Sequence, residues 1–348
     1  MIIKRKLASA TLLLLGVWIS AAFAQGSGTL ITATPMKQGW EEVVAGVVDG
    51  KIYILSGYVQ YAKSITGNAS LPEWRPVGIA ELYDPVTGTT VLKGKMPAPA
   101  HHSAVTTYGS KIYLFGGFVH PEGLGGWSSV ASVWAYDPAT DSWSARASMP
   151  TPRGGAHAAV VGSKIYVIGG YTTSAHRGGA IGMDMRSNEE YDPATDRWVE
   201  KQPVPTPRNH HAMGVIDGKI YVAGGRIGAP FTGSSSHIKM LEVYDPAKDV
   251  WARLQPMPTG RSGLGYGVVD DKLFVMGGED EKGTVYRANE AYDPKQGRWI
   301  KYPDMPVGKH APAFATIGRK IYILTGNVRG GGGSQVPSVE VFEPDAGQ

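Results

Sequence analysis

Glu42, His102 and His210 are the side chains of this 348-residue chain best suited to proton transfer, and all three stand eleven residues ahead of an aromatic that marks a repeat. A carboxylate and two imidazoles can deliver or accept protons near neutrality. The histidines belong to adjacent pairs, His101-His102 and His210-His211, which also raises a metal reading. Adjacent residues on an extended strand point to opposite faces, so each pair offers one ligand to a common centre. A shared site requires His102 and His210 to meet from repeats two apart, across the axis that the repeats surround. With no Asp or Cys beside them in the same phase, no metal is expected. No distinctive nucleophile, phosphate loop or cofactor fingerprint appears either, so no catalytic residue and no cofactor is assigned.

The elements that must position these residues repeat six times. The marker aromatics are Tyr53, Tyr113, Tyr166, Tyr221, Phe274 and Tyr322, spaced by 60, 53, 55, 53 and 48 residues. A period near fifty means one supersecondary unit per repeat. From each aromatic to a glycine (Gly57, Gly117, Gly170, Gly225, Gly278, Gly326) is always 4 residues. The Tyr of Tyr-Asp-Pro (Tyr83, Tyr136, Tyr191, Tyr244, Tyr292) stands 13 before Met96, Met149, Val204, Met257 and Met305, and these stand 17 before the next aromatic. All length variation therefore falls in one connection, between the glycine and Tyr-Asp-Pro, of 26, 19, 21, 19, 14 and 16 residues.

Within a repeat the apolar runs are short and β-rich, such as Ile52 to Leu55, each introduced by a turn such as Asp49-Gly50 or Asp217-Gly218. Such pairs tolerate the positive φ of a tight hairpin. Four strands per repeat follow. No amphipathic helical pattern appears after the N-terminus, so the chain reads as all-β. Units of this kind bury both faces by stacking radially.

The glycine pair, Tyr-Asp-Pro and the Trp at 143, 198, 251 and 299 resemble the kelch family, whose repeats form β-propeller blades. The resemblance runs from about residue 28 to the C-terminus. It implies a six-bladed propeller of four antiparallel strands per blade, with the Trp residues packing between blades. The first repeat departs, with Thr90 at the Trp position. The sixth stops at Val341-Phe342-Glu343-Pro344, lacking its fourth strand, while Leu30 and Met36 hold the Trp and Met-Pro phases ahead of the first repeat. A strand around Thr29 to Thr34 is thus expected to close the last blade.

In the kelch family the segment entering the innermost strand often faces the pocket, which implies Glu42, His102 and His210 as pocket residues. The variable connections add Tyr58, Tyr171, Arg226, Glu279, Asn327 and Arg329 as ligand-binding candidates, with Phe118, His120 and Trp127 nearby. Rings stack on apolar faces and Arg forks read carboxylates, which suits a glycan or a peptide. The series Arg153, Arg208, Arg261 and Lys309 recurs too regularly for a unique site. It reads as structural, pairing with carbonyls or carboxylates of a neighbouring blade. The run Gly330 to Gly333 reads as a flexible loop.

Residues 1–24 read as a signal peptide: Lys4-Arg5-Lys6, an apolar stretch from about Leu12 to Ile19, and Ala22-Phe23-Ala24 as the cleavage site. Residues 25–348 then form a single propeller domain, periplasmic or secreted and expected to be a monomer. No later run is long enough to span a bilayer. The chain has no cysteine, which excludes lipid attachment through a thiol and the Tyr–Cys copper chemistry of galactose oxidase. The formal charge of +4 owes three cations to the leader, leaving 31 basic against 30 acidic side chains. That balance gives no footprint for nucleic acid. A sequon, Asn68-Ala69-Ser70, lies in the longest connection. The leading expectation is an exported module that binds a glycan or protein without catalysis. The alternative is a sugar-active enzyme similar to kelch-type sialic acid mutarotases, with Glu42, His102 or His210 moving protons and Arg226 or Arg329 clamping a carboxylate.

Overall fold

The computed structural model describes residues 24–61, 73–122, 124, 126–176, 179–229 and 235–347. The leader up to residue 23 and the sequon at Asn68 lie outside them. Asp49-Gly50 and Asp217-Gly218 hold positive φ at both residues (51° and 69°, 50° and 70°), the turn that matches the right-handed twist of the strands it joins. Each turn places an innermost strand beside the strand that carries the marker aromatic, with Val47 opposite Ile52 in the first repeat.

Six four-stranded antiparallel blades result. Their innermost strands are Val44–Val48, Ala104–Tyr108, His157–Val161, Ala212–Ile216, Gly265–Val269 and Ala313–Ile317. Each lies against its neighbours on both sides, so the six close a ring. The last blade takes its fourth strand from Gly28–Ala33, which pairs with Val339–Pro344 and sets Leu30 opposite Phe342. One pairing goes beyond expectation: Ala24 and Gln25 run parallel to Ile300 and Lys301 of blade 5. Among the described residues, no helix is long and apolar enough to cross a membrane.

The core lies between blades. Ile168 and Tyr166 of blade 3 meet Met213, Ile220 and Tyr244 of blade 4 in one buried cluster, and each large side chain so buried contributes about 1.5–3 kcal/mol. The Trp residues join blades by hydrogen bonds as well as packing. The indole N–H groups of Trp143, Trp198, Trp251 and Trp299 donate to the carbonyls of Gly94, Ala147, Gln202 and Gln255, each just past the outermost strand of the preceding blade, at 2.8–2.9 Å.

The recurrent cations are structural, with one correction. They pair with a carboxylate of their own blade: Arg153 with Glu189 at 2.6 Å, Arg208 with Glu242 at 2.5 Å, Arg261 with Glu290 at 2.7 Å and Lys309 with Glu340 at 2.5 Å. Each carboxylate stands two residues before the Tyr of Tyr-Asp-Pro or its Phe342 counterpart. Burial makes the pairing obligatory, since an unpaired charge inside is far too costly. In blade 1 the indole of Trp40 donates to Glu81 instead. Blade 2 holds Ala100 and Trp134 at these positions, so cation and anion are replaced together.

Candidate functional site

The segment entering each innermost strand turns through the left-handed region at one residue. Glu42, His102, Gly155, His210, Gly263 and Ala311 have φ of 51°, 58°, 64°, 53°, 61° and 50°. Five of these residues, from His102 to Ala311, are joined by backbone hydrogen bonds into a belt around the axis, and Glu42 holds the same phase. Gly155 N donates to His102 O at 2.9 Å, His210 N to Gly155 O at 2.9 Å, Gly263 N to His210 O at 3.1 Å and Ala311 N to Gly263 O at 3.0 Å. The belt demands positive φ, which glycine adopts freely and other residues adopt at a cost. Glu42 and both histidines accept that conformation.

The belt brings the three side chains together. His102 Nε2 lies 3.2 Å from Glu42 Oε1 and His210 Nε2 lies 3.9 Å from Glu42 Oε2. The two imidazole rings are 4.9 Å apart. Repeats two apart therefore do meet across the axis, and each histidine pair contributes one member. His101 turns away, into Phe118, His120 and Trp127, and His211 packs against His157. The cluster lines a cavity of about 60 Å³ together with Ser103, Ala156, Leu264 and Pro312. That is room for a few waters, well below the pockets that enclose small molecules. A larger cavity of about 370 Å³, walled by the innermost strands, shares Val43, Val44, His157 and Leu264 with it. Between the two, His157 Nδ1 lies 2.6 Å from the Tyr266 hydroxyl.

Charge states follow from burial and neighbours. Burial works to raise the Glu42 carboxyl, but His102, His310 and Arg226 together hold it below its ordinary value. Burial, reinforced by Arg226 and three neighbouring imidazoles, holds His210 well below the usual histidine range. His157 is lowered to about 4 by burial, partly offset by Glu42.

A second ring of partners was missed in the sequence. The residue just ahead of five of the six belt positions forms a β-bridge with the residue after the second glycine: His101 with Phe118, Gly154 with Tyr171, Asn209 with Arg226, Ser262 with Glu279 and His310 with Asn327. Five of the predicted ligand-binding residues, Tyr58, Tyr171, Arg226, Glu279 and Asn327, thus occupy one phase, and adjacency to the belt was the available signal for their partners. Asn209 links the rings. Its Nδ2 donates to Asp184 Oδ1 at 2.5 Å and to Gly228 O at 3.0 Å. Its Oδ1 therefore faces the donors, Arg226 Nε at 3.2 Å and His210 Nδ1 at 2.5 Å. Arg226 continues to Glu279 at 3.2 Å, and Glu279 lies 3.7 Å from His310 Nδ1.

The remaining candidates fare differently. Tyr58 begins a strand opposite Pro76. Tyr171 and Asn327 are buried, so neither ring nor amide lies open at the mouth. The Arg329 side chain is exposed and only its backbone joins the network, its carbonyl 2.8 Å from His310 Nε2. The glycine-rich run is also tied down: Gly331 N donates to Glu279 at 3.0 Å and Gly333 N to Glu41 at 3.2 Å. Both glycines present their amides from positive φ, 76° and 79°, a conformation glycine adopts freely. The variable connections, read as loops, instead form two-stranded ribbons in blades 1 to 4.

Comparison with known proteins agrees with this architecture. A family model described as the KLHDC2/KLHL20/DRC7 Kelch-repeats domain matches residues 101–331. Kelch-like protein terF of Aspergillus terreus is 28% identical over 257 residues, which is 73% of this chain and 53% of that protein. Kelch-like protein 26 of Danio rerio is 27% identical, over 70% of this chain and 37% of its own length. Human Kelch-like protein 15 is 30% identical, over 56% and 33%. The chain thus spans about half or less of the length of these relatives. A solved structure titled "Structure of YjhT" superposes with a TM-score of 0.68 over 88% of this chain and 95% of that one, at 16% identity, a likeness of fold.

Proposed function

The chain belongs to the kelch-repeat family, and from that premise we propose that it is an exported interaction module whose partner docks on the face carrying the variable connections. Kelch propellers as a family point to protein interaction. The observation that carries the reading here is the blade 3 ribbon, Tyr171–His176 against Gly179–Asp184. One of its faces shows Ile181 and Met183 to solvent, 73% and 64% exposed. Thr173 and Ala175, which point to the other face, are buried, and their backbone N–H groups donate to the Ser129 and Ser128 hydroxyls, which ties the ribbon's edge to the blade 2 ribbon. Asp184 anchors the ribbon to blade 4 through Asn209 and Gly228 N. Two large apolar side chains held side by side on an anchored ribbon are the makings of an interface core. Export rests on the leader, Lys4 to Ala24. The curated relatives named above come from a fungus and from animals, so bacterial-type export is part of the proposal.

The test uses the chain beginning at Gln25 as bait in the exported fraction, beside an Ile181→Glu/Met183→Glu variant of unchanged melting temperature. Proteins retained by the first and released by the second support the reading. Equal retention by both removes the ribbon from it. Mass spectrometry of the secreted product, expected to begin at Gln25, tests export.

One observation favours the glycan or sugar-active reading: the acid-base pair Glu42–His102 lies beside Trp127, whose ring is 5.2 Å from that of His102. Thermal shift against acidic and neutral sugars tests binding, and anomer exchange by NMR tests catalysis. The 60 Å³ cavity weighs against enclosure of a sugar ring.

A further inference from the structure

We infer that Glu42, His102 and His210 form a binding site for a divalent first-row transition-metal ion, zinc in the first instance, on the propeller axis. One ligand atom from each residue lies within 4.8 Å of the others. Around an ion bound at about 2.0–2.2 Å, such atoms stand roughly 3–3.5 Å apart. The Glu42–His102 separation of 3.2 Å already satisfies this, and His210, 3.9 Å from Glu42, needs a small side-chain rotation.

The hydrogen bonds around His210 carry the argument. Asn209 spends both of its Nδ2 hydrogens on acceptors, Asp184 and Gly228 O, so its Oδ1 must accept from His210 Nδ1. The His210 proton is thereby placed on Nδ1, and Nε2 presents a lone pair to the cavity. That nitrogen is buried and has no hydrogen-bond partner, and the group it faces is another acceptor, the Glu42 carboxylate. Two acceptors facing each other in a buried cavity call for a cation between them. Metal-binding histidines show this same arrangement, with the outer ring nitrogen tethered and the inner one aimed at the ion. His102 offers a matching geometry: its Nδ1 contacts His101 Nδ1 and its Nε2 faces Glu42, so a proton held on Nδ1 would leave Nε2 to the ion.

Two imidazoles and one carboxylate select transition metals over calcium or magnesium, which take oxygen ligands. The other three belt positions, Gly155, Gly263 and Ala311, bring no donor side chain. The ion would therefore keep coordination positions open to water or to a ligand in the cavity. Metal binding here is independent of which partner docks on the loop face.

The test exploits the belt. Gly155 and Gly263 show that glycine fits a belt position, so His102→Gly and His210→Gly remove ligands while relieving backbone strain, and Glu42→Gln keeps the shape. The chain from Gln25, freed of metal by chelator dialysis, is titrated with Zn²⁺ by calorimetry and with Co²⁺ by visible absorption. One ion per chain is expected, with Co²⁺ ligand-field bands rising to that equivalence. Each ligand variant should weaken binding by more than about 100-fold, and Asn209→Ala by about 10–100-fold with stoichiometry kept. Exposed His176 serves as control, and His176→Gln should change nothing. Failure of the wild-type chain to bind one equivalent would overturn the inference, leaving water to fill the cavity. So would binding that survives Glu42→Gln and His210→Gly together, which would mark an adventitious surface ion only.

Discussion

Arg153 and Glu189 meet at 2.6 Å with both side chains almost wholly out of solvent, at 0% and 2% exposure. The guanidinium also donates to the carbonyls of Thr151 and Val167, so the pair fastens the segment entering blade 3 to that blade's second and third strands. Removing one partner leaves a buried charge alone. Glu189→Gln should cost about 3–5 kcal/mol, whereas Arg153→Met with Glu189→Leu should lose far less. Urea denaturation of the two variants checks this, and equal losses would contradict it.

Closure by the N-terminal strand gives the second expectation. Leu30 sits opposite Phe342 and packs on a cluster shared by blades 5 and 6. Leu30→Asp should lower stability by about 2 kcal/mol. Deleting residues up to Ala33 should expose the edge of Val339–Pro344 and promote self-association. Calorimetry and size-exclusion chromatography distinguish these outcomes from an unaffected monomer.

Acid should destabilise the fold from about pH 6.5 downward. His157 is held at about 4 when folded, against an ordinary value near 6.5 when unfolded. Between these values the unfolded chain binds a proton that the folded chain refuses, so stability is complete above pH 6.5 and is lost on the way to pH 4. The loss from this residue is about 3 kcal/mol. Buried His101, His210 and His211 are lowered too and act in the same sense. The urea midpoint at pH 7, 5.5 and 4.5 measures the slope, which His157→Gln should make shallower.

Ala311 holds φ at 50° with no donor side chain to show for it. Ala311→Gly should therefore raise stability by about 1 kcal/mol, read as a higher urea midpoint. A lower midpoint would mean that the lost methyl packing against the cavity wall outweighs the relieved strain.

Blade number, strand order and closure were legible because each repeat solves the same local problem six times. Gly117 illustrates this: its φ is 113° and an added Cβ would lie 2.7 Å from His101 O, so a glycine recurs in phase in every repeat. The Trp series was legible for the same reason, each indole meeting the same carbonyl one blade back. Belt positions were legible as a phase, which is how Glu42, His102 and His210 came to be grouped. The outward turn of the Arg329 side chain was not legible, because a connection's composition does not say which of its side chains faces solvent.

From the sequence alone followed the period, the six blades, the closing strand and the structural role of the recurrent aromatics and cations, all products of local geometry repeated under a constant spacing. Only the tertiary structure decided that Glu42, His102 and His210 converge. Their meeting depends on the radius of the closed ring and on a left-handed turn whose carbonyls and amides bond from blade to blade, contacts between residues far apart in sequence. The tethering of Gly331 to Glu279 and of Gly333 to Glu41 was settled in the same way, by which blade lies next to which, whereas the partner carboxylate of each buried cation was settled inside one blade, by the pairing of its second and third strands.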